Sequence, residues 1–435
     1  MTLSREVCLR LPSFVRVGLV ATVALAACHR AVRDFASTLE PTSSTAVYDG
    51  IVRIDPQIGA LEAVWTLRLT RHAEADSLVL LLNSGITIAA VTGSDVQGYK
   101  VRGEGDYVRL TLSLAPRTDA HDTQIQLQYS GRAHFGDDGI NRIAPEWVEL
   151  GLDSFWFPVV ADFAHEVRGR VRIVLPKGYR VVSSGAQQSR GDTTEIVNAR
   201  ALYDFAFVAS PAMRTTSQGR VLAHDTGSPP LLVQRVLASG AKCIDYLNAR
   251  YGRLNPIPTA DIVIAQRNGP GYARQRYVVI SVGSSTVTDA PDDSVGRADF
   301  VCHEFAHFWS IGANPSGPDN WLNEGFAEFV SGRAIRSLYG EAAWIKLLTK
   351  WREGTVGQGP VWTATSSARP SEKIAYQKAP ALLAELEARI GRERMDALLA
   401  RFMTGPMRST PVVLDMIDRE IGVDDGAWFR SAIGR

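Results

Sequence analysis

Residues 303–307 of the chain read His-Glu-Phe-Ala-His, and a second cluster, Trp-Leu-Asn-Glu-Gly, follows at 321–325. On a helix His303 and His307 lie one turn apart on the same face, so both imidazoles can converge on one cation, with Glu304 projecting beside them. A hydrolytic zinc centre needs three protein ligands and an open position for water. If a second helix starts near Trp321, Glu324 lies in its first turn and can supply the third ligand. Glu328, one turn further on the same face, reads instead as a supporting or surface carboxylate. The expected set is one Zn²⁺ per chain on His303, His307 and Glu324, with Glu304 as general base.

His-Glu-x-x-His followed by Trp-Leu-Asn-Glu-Gly resembles the aminopeptidase N family of gluzincin metallopeptidases. Sixteen residues separate His307 from Glu324, two fewer than is usual in that family, a difference that a connecting loop can absorb. The resemblance implies an α+β multidomain protein, with an N-terminal antiparallel β-saddle domain followed by a thermolysin-like, mainly helical catalytic domain. The family's long C-terminal helical domain has no counterpart. It also implies a catalytic tyrosine opening a helix within Tyr-x-Lys-Gly. The chain has Tyr376-Gln-Lys-Ala379, so Tyr376 matches and Ala379 replaces the glycine.

The family's Gly-x-Met-Glu-Asn strand, whose glutamate holds a substrate's α-amine, is missing. Between Asp261 and Asp289 there is no acidic residue, and Arg274 or Gln275 stands about where that glutamate is expected. An arginine there repels a free α-ammonium unless an acid from the β domain compensates, and Glu149 is a candidate for that acid.

The elements that must carry these residues are legible from periodicity. From Val47 to about Ala212 apolar residues alternate in short runs: Trp65, Leu67 and Leu69; Val108, Leu110, Leu112 and Leu114; Ile125, Leu127 and Tyr129. Period two with Gly, Asp and Pro punctuation predicts an antiparallel β domain over 47–215. A catalytic domain is expected over 220–435, where helical periodicity takes over. There Leu382, Leu383, Leu386 and Ile390 form one stripe of a helix closed by Gly391.

The first residues carry a different signal. Arg5, Arg10 and Arg16 precede the apolar run Val17–Ala27, which is too short to span a bilayer and reads as a signal peptide over 1–27. Leu25-Ala-Ala-Cys28 resembles a bacterial lipobox, with Cys28 lipidated, residues 28–46 as a tether, and His29 favouring the outer membrane. The expectation is a lipid-anchored periplasmic protein of the bacterial cell envelope, with peptides or proteins as substrates. Cys243 and Cys302 can pair or stay as buried thiols. A formal net charge of +1, with no long basic run, argues against nucleic acid as a partner. The expected function is zinc-dependent peptide-bond hydrolysis, possibly as an aminopeptidase. The alternatives are a noncatalytic zinc-stabilised binding lipoprotein and a structural lipoprotein without metal.

Overall fold

The computed structural model describes residues 45–71, 75–136, 139–163, 165–282, 294–310, 312–405 and 407–435. The signal peptide, Cys28 and nearly all of the tether lie outside the described residues.

The first half is built of sheets. Thr45–Asp55 and Ala60–Arg71 form an antiparallel pair at the centre of a seven-stranded sheet, flanked by Glu166–Val174 on one side and His121–Arg132 on the other. Two four-stranded sheets complete this half. Pairing is antiparallel except that Thr45–Arg53 runs parallel to Glu166–Val174, a crossover that alternation alone does not reveal. The alternating residues fill the core as their period demands: Trp65, Leu67, Leu110, Leu112, Ile125 and Tyr129 are all buried. Trp65 sets the packing. Its indole donates to the Tyr129 hydroxyl (2.8 Å), which donates to the Trp156 carbonyl (2.6 Å), so neither polar group is stranded in the aromatic core. Gly50 lies opposite, where a Cβ would stand 2.3 Å from the Trp65 ring.

The second half begins with a strand hairpin, Arg214–Gln218 with Val221–Asp225, which pairs in parallel with Ala260–Ala265. Tyr277–Ser281 and the three-residue edge strand Tyr272–Arg274 complete a five-stranded sheet. A small shared core of Trp147, Val208, Met213, Val263, Tyr277 and Val279 joins it to the β-rich half.

Helices follow: α1 (Pro230–Tyr251), α2 (Ser294–Ser310), α3 (Asn320–Tyr339), α4 (Glu341–Thr355), a π-turn at Ile374–Lys378, α5 (Ala379–Ile390), α6 (Arg392–Thr404), α7 (Thr410–Ile421) and α8 (Val423–Ile433). In α5 the stripe residues Leu383, Leu386 and Ile390 are buried, Leu382 is half-buried, and Gly391 caps the end at φ 86°. A disulfide between Cys243 and Cys302 staples α1 to α2. No helix among the described residues is long and apolar enough to cross a membrane.

Candidate metal centre and active site

Helices α2 and α3 meet with their chemistry-bearing faces together. His303, Glu304 and His307 are buried on α2, although they are polar, because the same helix buries Val301, Phe305 and Ala306 against the core. The connection to α3 is stitched by Asn323. Its side-chain oxygen accepts from the amides of Gly312 and Ala313 (3.2 and 3.1 Å), and its amide donates to the Ala313 carbonyl and to Asn320 (both 3.0 Å). The shortened loop is thus bonded to the residue preceding Glu324, which fixes that carboxylate relative to the histidines.

His303 Nε2 and His307 Nε2 stand 3.2 Å apart, and a Glu324 carboxylate oxygen lies 3.4 Å from each. The ligand atoms of these three residues all fall within 4.8 Å of one another. His303 Nδ1 is 2.9 Å from Glu328 Oε2, so Nδ1 donates to that carboxylate and Nε2 faces the cluster. Two ring nitrogens and a carboxylate converge on one spot, which a proton can bridge and which a metal can occupy once that proton is displaced. The donor set therefore fits a divalent metal.

The electrostatics agree. Burial opposes ionisation of Glu324, but the charges and hydrogen bonds of His307 and His303 hold its carboxyl well below the ordinary value. Burial would depress His303 too, yet Glu324 and Glu328 hold it well above. Glu304 is pushed up, first by burial, against the opposing pull of both histidines. A raised carboxylate beside a metal site is suited to accept a proton and return it.

Tyr376 sits in the π-turn with its ring stacked on His303 (5.5 Å between centroids, 27° between planes). Its pKa is raised, by burial and then by the Glu324 charge, so it stays a hydroxyl and can donate. The π-turn is seated on two glycines. A Cβ on Gly325 would be 2.7 Å from Ala379 Cβ, and one on Gly354 would overlap the Gln377 amide. Ala379 stands where the family pattern has glycine, and Gly325 opposite supplies the missing space. His303, Glu304, His307, Glu324 and Tyr376 line one cavity of about 1320 Å³, which is also lined by Asp153, Asp299, Glu328, Lys350, Arg369 and Glu372.

Arg274 reaches this cavity from the edge strand but is not a free cation. It grips Asp204 with two parallel hydrogen bonds (Nε–Oδ1 2.9 Å, Nη2–Oδ2 2.8 Å) and lies over the Tyr272 ring. Glu149 is not the acid that compensates it. It is fully buried outside the cavity lining, held by Arg267 (2.7 and 2.9 Å) and Trp147 Nε1 (2.8 Å). The compensating acid is Asp204, which the sequence reading missed. A signal was present, because an aspartate inside Tyr-Asp-Phe-Ala-Phe-Val must be buried by its neighbours and therefore paired.

No family model matches the chain. Among curated proteins it is similar to Aminopeptidase M1 of Arabidopsis thaliana, 25% identical over 181 residues, which is 38% of this chain and 20% of that protein. The chain thus matches about a fifth of that relative's length. Among solved structures it is similar to the M1 zinc metallopeptidase of Deinococcus radiodurans, with a TM-score of 0.67 at 18% identity over 89% of this chain and 93% of that one. A mutant of that enzyme bound to a Tyr-Ser-Ala substrate gives 0.67 at 17% identity, covering 89% and 94%. A two-domain M1 zinc metallopeptidase mutant bound to L-arginine gives 0.69 at 17%, covering 89% and 93%. The β-sheet half, the five-stranded sheet and the helical region together have the two-domain fold of the M1 zinc metallopeptidases of the aminopeptidase N type.

Proposed function

We propose that the protein is a zinc-dependent peptidase acting at the N-terminal end of peptides. The observation that carries this reading is the convergence of His303, His307 and Glu324 within 4.8 Å, with Glu304 and Tyr376 lining the same cavity. Zinc bound there would act as a Lewis acid, lowering the pKa of water to about 7 and polarising a peptide carbonyl. Glu304 would take the attacking water's proton and pass it to the leaving amine. The Tyr376 hydroxyl would donate to the carbonyl oxygen as negative charge develops on it, an interaction stronger in the transition state than in the ground state. A noncatalytic zinc-stabilised binding protein would need neither group.

Preference for a free N-terminus is supported by the neutralised arginine. With Asp204 closed on Arg274, the edge strand presents no unbalanced positive charge, while Asp153 and Glu372 line the cavity, beside Lys350 and Arg369, as carboxylates that can receive an α-ammonium. The Arabidopsis relative's name and the Deinococcus complexes with a tripeptide and an amino acid point the same way. The test compares hydrolysis of a free tripeptide and its N-acetylated form by the purified protein, with zinc measured in parallel. Stoichiometric zinc and faster cleavage of the free peptide are expected. Equal rates would make the protein a peptidase indifferent to the amine, and no cleavage of either would leave the binding-protein alternative.

The same proposal places the protein at the bacterial cell envelope, anchored through Cys28 by the lipobox reading of Leu25–Cys28. Cys28→Ser should then abolish lipid modification, and an unmodified Cys28 in the mature wild-type protein would refute the anchor.

A further inference from the structure

Helix α2 carries both histidines and Glu304, so its place against its neighbours sets where these side chains point. Two ties hold it within four residues of His303. On one side the Ser331 hydroxyl of α3 donates to Asp299, whose carbonyl and carboxylate oxygens lie 2.6 and 2.7 Å away. On the other, Cys302, the residue immediately before His303, is bonded to Cys243 in the middle of α1. Both cysteines are fully buried, in the same core as Val301, Phe305 and Ala306. The bond spans a sequence separation of 59. The loop it closes contains Ala260–Ala265, Tyr277–Ser281 and the edge strand Tyr272–Arg274 that borders the cavity. Strand and helix touch inside that loop: a Cβ on Gly271 would stand 3.0 Å from the Phe300 ring of α2.

We propose that Cys302, through its bond to Cys243, is a positioning residue for the metal centre, and that the protein reaches full zinc affinity only when it folds where thiols are oxidised. The inference rests on the metal-site reading of His303, His307 and Glu324. Successive residues of a helix are fixed relative to one another by the backbone, so a helix pinned at Cys302 can neither slide nor roll without moving His303. A hydrogen bond such as that from Ser331 to Asp299 can be exchanged for one to water when helices shift, whereas a covalent bond cannot. Ligands already held in place bind a metal without a further ordering cost, and the bond supplies that order. In its formation the two thiols lose two protons and two electrons to a disulfide oxidant, which is released as two thiols. With both cysteines out of reach of solvent, the bond is set as the chain folds and not afterwards.

The experiment measures the zinc dissociation constant by chelator competition on the full chain in three forms. These are wild type refolded with oxidised glutathione, wild type refolded with a phosphine that is removed before zinc is added, and Cys243→Ser. The phosphine splits the bond into two thiols and ends as its oxide, with water supplying the oxygen and both protons. Peptide masses establish the Cys243–Cys302 bond in the first form and its absence in the others. Circular dichroism fixes a temperature at which all three are folded, so that a loss of fold is not read as a loss of affinity. The two forms without the bond should bind zinc about tenfold more weakly, the lower end of what losing a ligand's support costs. The visible spectrum of the cobalt-substituted protein should shift in both, reporting displaced ligands independently of turnover. Phosphine added to the folded, oxidised, metal-free protein should change nothing until denaturant opens the core.

If Cys243→Ser does not fold, the Cys243→Ala/Cys302→Ala double variant, which leaves no polar group at the buried position, carries the same comparison. Zinc affinity within twofold of the oxidised wild type in every form lacking the bond overturns the positioning role while leaving the metal site standing. If no form lacking the bond folds, the bond serves the fold as a whole, and the role at the metal is overturned as well. A prompt fall in affinity on adding phosphine to the folded protein overturns the setting of the bond during folding. An oxidised wild-type protein that takes up no zinc overturns the metal reading itself, and this inference with it.

Discussion

Two buried groups of ionisable side chains lie close together in this molecule, and they are built on opposite plans. At the junction of the two halves, Arg267 closes on Glu149 and Arg274 closes on Asp204, each through two parallel hydrogen bonds. Arg267 spends its remaining donors on the carbonyls of Asn268 and Pro270, so that pair is matched in charge and hydrogen bonding. Between α2 and α3, His303 and His307 are buried and Glu324 nearly so, yet they converge on a single point rather than closing into a matched pair. A closed pair needs nothing further from outside. The open cluster leaves ring nitrogens and a carboxylate converged on one spot that a metal can occupy, and that convergence, rather than burial or charge alone, distinguishes a candidate site from a pair that only holds the fold together.

The comparison breaks most sharply at Glu304. Glu304→Gln keeps the shape and removes the base, so kcat should fall by roughly 10²–10⁴-fold with zinc retained, whereas Glu324→Ala should lose zinc. Equal loss of zinc from both variants would show that the two carboxylates have been assigned the wrong roles. Tyr376→Phe removes one donor at nearly constant shape and should lower kcat by about 10²–10³-fold with KM little changed. Wild-type kcat in that variant would mean that the ring merely packs.

On the closed side, Glu149→Ala strands a buried guanidinium and should cost about 3–5 kcal/mol of stability in denaturant titration. Glu149→Leu with Arg267→Leu should recover much of that, and zinc affinity should be unchanged in any variant that folds. No pair of apolar residues can replace His303 and Glu324 in this way.

The smallest effect expected is a pH slope at Asp299. Burial, reinforced by the charge of Glu328, pushes its carboxyl from 3.8 up to about 7. The folded state therefore holds a proton that the unfolded chain releases. That contribution to stability is full below about pH 4 and is lost as pH rises through about 7. Metal-free Asp299→Asn should show a flatter fall in urea midpoint between pH 5 and pH 8 than metal-free wild type, and identical slopes would place the titration elsewhere.

How much of this was legible follows from the range of each signal. The ligand set is local, since a four-residue helical repeat and a carboxylate in the first turn of the next helix are visible in thirty residues of sequence. The buried strands were legible because period-two alternation records which face is inside, and Trp65, Leu110 and Ile125 are where it puts them. What escaped were pairings across long sequence separations, Arg274 with Asp204, Arg267 with Glu149 and Trp351 with Glu328, while for Cys243 and Cys302 sequence named the pair but left it open between a disulfide and two thiols. Sequence tells that a buried charge needs a partner but not which one, because the choice is made by how the two halves dock. The parallel pairing of Thr45–Arg53 with Glu166–Val174 escaped for the same reason.

The edge strand Tyr272–Arg274 has a consequence for solubility. A cavity bordered by a sheet edge leaves unpaired amides and carbonyls facing outward, and such an edge is a template on which another chain can add and aggregate. Here the strand is only three residues long, is preceded by Gly269-Pro270-Gly271, and ends at an arginine locked to Asp204. A longer, flatter strand at this position would hold an extended peptide more firmly, and it would also invite other copies of the protein. Lengthening it by replacing Pro270 and Gly271 with β-branched residues should show up first as concentration-dependent precipitation on refolding.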